Sequence, residues 1–196
     1  APVPTIGGNI SSGRPIMEAG GFDQRESPAF YGSRAPYLPL ATRPDVVVFQ
    51  TDALLEELEV TGPISVNLWV SSSAVDTDFT AKLLDVYPPS EDYPEGYALN
   101  LTDGILRAKF RDSWEKTELM QPGQIYSVTI QILPTSNLFA RGHRIRLDVS
   151  SSNFPRFDVN GNTGENPGVS PVKVPARNTI YHSLICPSNV VLPVIS

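Results

Sequence analysis

The stretch GHRIRLDVSSSNFPRFD, Gly142 to Asp158, decides the fold. Its first half alternates. Ile145, Leu147 and Val149 fall on one side, and Arg144, Arg146, Asp148 and Ser150 fall on the other. A period of two is that of a β-strand with one buried face. From Ser151 to Asn153 the alternation gives way to polar residues, and Phe154 and Phe157 then flank Pro155 and Arg156. Proline fixes its own φ and offers a ladder no donor, so the strand is expected to end just before Pro155. A strand that runs into a rigid aromatic corner predicts the edge of a β-sandwich pressed against a neighbour.

The same pattern recurs outward from this stretch. Asp45–Thr51 is a β-branched run that reads as a buried strand. Leu58–Thr61 reads as a short edge strand, Gly62-Pro63 as a turn, and Ile64–Ser71 as a second clear strand. Asp78–Tyr87, Gly104–Phe110 and Gln124–Leu133 follow, the last broken by Pro134 and Asn137. Thr179–Leu184 and Val190–Ile195 close the chain. Eight to ten short strands at turn spacing, with little helix, predict two stacked antiparallel sheets. Residues 1–44 differ: glycines and prolines interrupt every period, while Phe22, Phe30, Tyr31 and Tyr37 need a surface to pack on. They read as an extended arm, and 45–196 as the sandwich.

Composition narrows the function. With 196 residues, one domain is expected, and 40% apolar content suffices for its core. The 19 prolines and 14 glycines leave no room for long helices. A net charge of −6 argues against a nucleic-acid surface. No apolar run approaches the 18 or so residues of a membrane span. The single cysteine, Cys186, excludes an internal disulfide and fits a reducing compartment, so a cytoplasmic location is expected. A start at Ala1, without Met, is expected of a processed or excised piece.

No reading of the residues assembles catalytic chemistry. A serine hydrolase of the α/β type needs G-x-S-x-G between a strand and a helix. Gly168–Val172 lacks the second glycine and puts Pro171 where an oxyanion N–H is required, and Asn9–Gly13 lacks the first glycine. His143 and His182 sit at strand ends and read as hydrogen-bonded structural histidines. Asp158–Asn162 spaces oxygen ligands like a calcium loop, but Thr163 and Val169 stand where an EF-hand needs glycine and an acid. The bland reading is an Asx/Gly-rich loop. Asp76 and Asp78 flank Thr77 at a strand start, where carboxylates accept backbone N–H bonds. Trp69 lies on the polar side of its strand, as core, as an interdomain anchor, or as a sugar platform with Tyr93 and Tyr97. No cofactor or metal is expected.

Several blocks together carry a resemblance. They are residues 43–88, DGILRAKFR (103–111), PTSNLFARGHRIRLDVSSSNFPRFDVNGNTG (134–164), and NTIYH with VLPVI near the end. They resemble the C-terminal domain of the X-Pro dipeptidyl-peptidase and cocaine esterase-like acyl esterase family. The resemblance implies an all-β fold, a jelly-roll β-sandwich of two antiparallel sheets, galactose-binding-domain-like, behind a long irregular N-terminal arm. It implies that the nucleophile, acid and base belong to a separate α/β-hydrolase domain of the same parent protein, so no catalytic residue is carried over. That domain is the expected partner, with a homo-oligomer as a further option. The matching positions are Asp76, Asp78, Phe79, Asp85, Arg107, His143, Arg144, Ser151, Asn153, Phe154, Arg156, Phe157 and Asp158. Their implied role, shared with Trp69, is to hold the sandwich and its contact with the catalytic domain. Arg156 and Asp158 are expected to brace the corner as partners of each other. An independent carbohydrate-binding module is the alternative.

Overall fold

The computed structural model describes residues 10–11, 14–15, 23–26, 28, 33–154, 156–166, 169 and 171–195. Its strands are β1 (Ile10–Ser11), β2 (Arg14–Pro15), β3 (Val46–Gln50), β4 (Leu58–Ser72), β5 (Asp78–Tyr87), β6 (Tyr97–Arg107), β7 (Tyr126–Phe139), β8 (Arg144–Ser150), β9 (Asn178–Tyr181), β10 (Asn189–Val191) and β11 (Val194–Ile195). β1 and β2 pair only with each other among the described residues. One sheet runs β3-β8-β5-β6. In the other, β4 carries β7 along one edge and β9, β10 and β11 end to end along the other. Every pairing is antiparallel, so the expectation of an all-β chain with two antiparallel sheets holds.

The inner faces follow directly from the alternation. Val60, Ile64, Val66, Leu68 and Val70 of β4 are all at most 1% exposed and meet Phe79, Ala81 and Leu83 of β5 in one core. Burying each such side chain contributes about 1.5–3 kcal/mol. Ile145, Leu147 and Val149 join the same core from β8. Gly104 lets β6 close against β7, because a Cβ there would lie 2.8 Å from the carbonyl oxygen of Gln131.

The structure corrects several boundaries. β8 stops at Ser150 rather than just before Pro155, which itself lies outside the described residues. β4 is one 15-residue strand that runs through Gly62-Pro63. β7 likewise continues through Pro134 and Asn137 to Phe139. The two departures have one cause. The register shifts between Gly62 and Ile64, so Leu133 and Pro134 oppose Pro63 alone. This bulge asks no ladder hydrogen bond of either proline. The Gly104–Phe110 strand begins earlier, at Tyr97, and its last three residues form a 3-10 turn. The last predicted strand divides into β10 and β11 on either side of Leu192-Pro193.

The larger correction concerns burial. β8 was expected to have one buried face, yet Arg146 and Asp148 are 6% and 4% exposed. The outer face of the β3-β8-β5-β6 sheet is roofed by other parts of the chain. Asp23 bridges to Leu99 of β6 and Arg25 to Pro39, and Leu40 is buried on the way to Asp45 before β3. From the other side, residues 151–154 and 156–157 turn back across the sheet, and Asn153 donates to Asp103 of β6 at 2.7 Å.

Candidate functional site

Under that roof the outer face carries a buried charge layer. Lys82 on β5 stands across from Asp103 on β6 and from Asp148 on β8, in one cross-strand row. Asp148 accepts two bonds from Arg146, 2.7 Å from Nε and 2.6 Å from Nη2. Asp103 pairs with Arg156 at 3.1 Å. Two carboxylates thus sit among three cations. Burial lowers the Lys82 ammonium to about 8, resisted by Asp148 and Asp103 and aided by Arg146 and Arg156. Burial also raises the Asp103 carboxyl, against the opposing pull of Arg156 and Lys82.

A second network holds one end of the sandwich. Asp78 accepts from Arg107 Nε at 2.9 Å and Nη2 at 3.0 Å, and from Asn160 Nδ2 at 2.8 Å. Arg107 also donates to Asp158 at 3.2 Å. Its pKa is raised, chiefly by the hydrogen bonds to Asp78. Asp76 accepts the Lys109 backbone N–H at 3.0 Å and Asn160 Nδ2 at 3.2 Å, and burial raises its pKa. Lys109 Nζ donates to the carbonyls of Gly164 and Glu165 and to Asn166 Oδ1, at 3.1–3.2 Å. An ammonium thus satisfies oxygens of the loop that follows the calcium-like sequence. Among the described residues no group of three or more His, Cys, Asp or Glu is placed to hold a metal.

His143 lies at the opposite end of β5 from Asp78. Its Nδ1 is 2.8 Å from Asp85 Oδ1, and Asn137 donates to the other carboxylate oxygen at 3.3 Å. Its ring rests 4.3 Å from that of Tyr87. A buried carboxylate orienting an imidazole resembles two members of a triad, but no serine or cysteine nucleophile is bonded to this histidine among the described residues.

The profile of the X-Pro dipeptidyl-peptidase C-terminal non-catalytic domain matches residues 17–191. The chain belongs to that family. It is therefore a non-catalytic domain, and its relatives are larger hydrolases. The chain is 42% identical, over 196 residues, to cocaine esterase from Rhodococcus sp. (strain MB1 Bresler), a match covering 99% of this chain and 30% of the esterase. Among solved structures, an aminopeptidase from a marine sediment Thaumarchaeota archaeon superposes with a TM-score of 0.75 at 30% identity, covering 80% of this chain and 27% of that one. An α-amino acid ester hydrolase gives a TM-score of 0.75 at 29% identity, covering 91% and 33%. The chain thus spans about a third or less of these relatives. No helix among the described residues is long and apolar enough to cross a membrane.

The expected site positions show pairings other than those the sequence suggests. Arg156 and Asp158 do not hold each other: the first takes Asp103 and the second Arg107. Phe154 and Phe157 are half-buried, and the Arg156 guanidinium lies 5.5 Å from the Phe157 ring. Trp69 is half-buried on β4, between Ser127 of β7 and Tyr181 of β9. Tyr93 and Tyr97 pack on each other at 4.8 Å beside β6, in the other sheet, so the weighed sugar platform is not one surface. Sequence reasoning missed Lys82, Asp103, Lys109, Arg146 and Asp148 as buried charges. The available signal was Lys82 itself, a lone cation inside the apolar run FTAKLL.

Proposed function

We propose that this sandwich packs on the α/β-hydrolase domain of the same parent protein and helps wall its active-site cleft, the parent being a serine hydrolase of acyl esters or X-Pro peptides. On this reading residues 1–44 are the lead-in from that domain and 45–196 the sandwich. The observation that carries it is Trp114. It is 77% exposed, stacked at 6.4 Å on Phe110, at the end braced by Asp76, Asp78 and Lys109. Leu119 and Val169 are exposed on the loops of the same end. A large aromatic held out on a rigid base is the anatomy of an interface hot spot, and the names of the relatives supply the class of partner.

The test is to produce the upstream hydrolase domain separately and mix it with this chain. Sedimentation should show a complex that Trp114→Ala weakens about tenfold or more. The chain alone should leave a chromogenic ester and a Gly-Pro amide intact. Turnover by the pure chain that a serine reagent abolishes would sink the proposal, as would the absence of any complex.

A further inference from the structure

Asn160 and Gly161 form the one Asn-Gly pair of the sequence. They lie in the loop between β8 and β9, at the end braced by Asp76 and Asp78. The Asn160 side chain is engaged at both its polar atoms. Nδ2 donates to Asp78 Oδ1 at 2.8 Å and to Asp76 Oδ2 at 3.2 Å. Oδ1 accepts the Asn162 N–H at 2.8 Å. Asp78 and Asp76 are 1% and 0% exposed, so water does not replace that donor. Gly161 is fixed as tightly. Its carbonyl accepts the Val174 N–H at 2.9 Å, and a Cβ on it would lie 2.9 Å from the carbonyl oxygen of Val172. The fold therefore demands both members of the pair. A carboxylate at 160 has no proton to donate to Asp76 and Asp78, and a side chain at 161 would displace the backbone at Val172.

The same pair is chemically labile. With no side chain on Gly161, its backbone nitrogen is unhindered in approaching the side-chain carbonyl carbon of Asn160. We propose that Asn160 is a site of spontaneous deamidation, held in check by its grip on Asp76 and Asp78. In the opened loop the Gly161 nitrogen attacks Asn160 Cγ. The Cγ–Nδ2 bond breaks, and Nδ2 leaves as ammonia with the proton that Gly161 gives up. Water then opens the resulting succinimide at either carbonyl. One opening leaves aspartate, and the other leaves isoaspartate, with the chain routed through the side chain. Water is the only co-reactant, and nothing is oxidised or reduced. Neither product re-forms the native contacts. Aspartate sets a third carboxylate where the amide now lies 2.8 and 3.2 Å from two buried ones. Isoaspartate adds a backbone atom inside the turn that Asn162 closes on Asn160. Each opening that reacts is therefore irreversible.

Mass spectrometry of peptides from the whole chain, aged at mildly alkaline pH, tests this. The mass gain of deamidation should appear at Asn160 ahead of every other asparagine. It should appear at least about tenfold faster in urea than in buffer at the same pH, because the folded chain reacts only through its open fraction. Asp76→Asn turns the acceptor facing Asn160 into a donor while its other oxygen still serves the Lys109 N–H. It should raise the rate in buffer several-fold and leave the rate in urea unchanged. Asn160→Asp, the aspartate product made directly, should melt at least about 5 °C below the native chain. First deamidation at another asparagine overturns the proposal, as do equal rates in urea and in buffer. A buffer rate that Asp76→Asn leaves unchanged, or an unchanged melting temperature for Asn160→Asp, overturns the grip assigned to the two carboxylates.

Discussion

Asp78 and Arg107 are cross-strand partners on β5 and β6, and their side chains form a two-pronged ion pair at 2.9 and 3.0 Å. Asp78 is 1% exposed, so its carboxylate depends on this guanidinium and on Asn160 for the hydration it has lost. Removing one partner of such a pair leaves the other charge buried. Asp78→Ala should therefore cost about 3 kcal/mol in urea unfolding. A loss below about 1 kcal/mol, the range of surface pairs, would show that Arg107 re-pairs with Asp158 at little cost.

Lys82 makes stability depend on pH in a defined window. Its folded value is about 8, below its ordinary 10.5. Between those two values the unfolded chain holds a proton that the folded chain has lost. Stability from this group therefore rises with pH across the window and is flat outside it. The full rise is on the order of 3 kcal/mol. Urea midpoints measured from pH 7.5 to 9.5 should climb in the native chain relative to Lys82→Met. Parallel curves for the two would contradict the buried-ammonium assignment.

The aromatic corner separates two pairings that adjacency in sequence suggests are one. A double-mutant cycle on Arg156 and Asp103 should show coupling of about 1–2 kcal/mol. The cycle on Arg156 and Asp158 should close to within about 0.5 kcal/mol. The reverse pattern would restore the local brace in place of the observed long-range one.

Gly104 tests the closure of the sandwich. A methyl group there would sit 2.8 Å from Gln131 O and 2.9 Å from Ile132 Cγ2. Because the nearest atom is backbone, β6 or β7 must shift to admit it. Gly104→Ala should destabilise by about 1–3 kcal/mol in thermal or urea unfolding. An unchanged midpoint would mean that the two strands are not in close contact.

Much of the fold was legible because side-chain alternation is local. Asp78–Tyr87 was read with its observed ends, and β3 to within a residue at each end. The strand ends that were misread lie where a distant partner decides. Pro134 breaks no strand because Pro63, some seventy positions earlier, opens a bulge opposite it. Of the site residues, Asp76, Asp78, Arg107, His143 and Asn153 stand out in the sequence, as do Asp85, which holds His143, and Asp158, which shares Arg107 with Asp78, but Asn160 beside Asp76 and Asp78 and Asp103 beside Asn153 do not. Asp103 looked like any strand-face acid until the loop after β8 delivered Asn153 and Arg156 to it.

The amino-acid sequence alone determined that the chain is a two-sheet antiparallel structure with Ile145, Leu147 and Val149 turned to the core. A period of two needs no knowledge of what lies across the strand. Only the tertiary structure decided that the opposite side of the same strand is also buried, and that Arg146, Asp148, Lys82 and Asp103 form one charge layer there. Burial of a polar face depends on a roof, and this roof is built from described residues of two segments far apart in the chain, 23–26 with 33–45 and 151–154 with 156–157. Which charge meets which across β6, β5 and β8 depends on register, a property of strand pairs that no single strand carries.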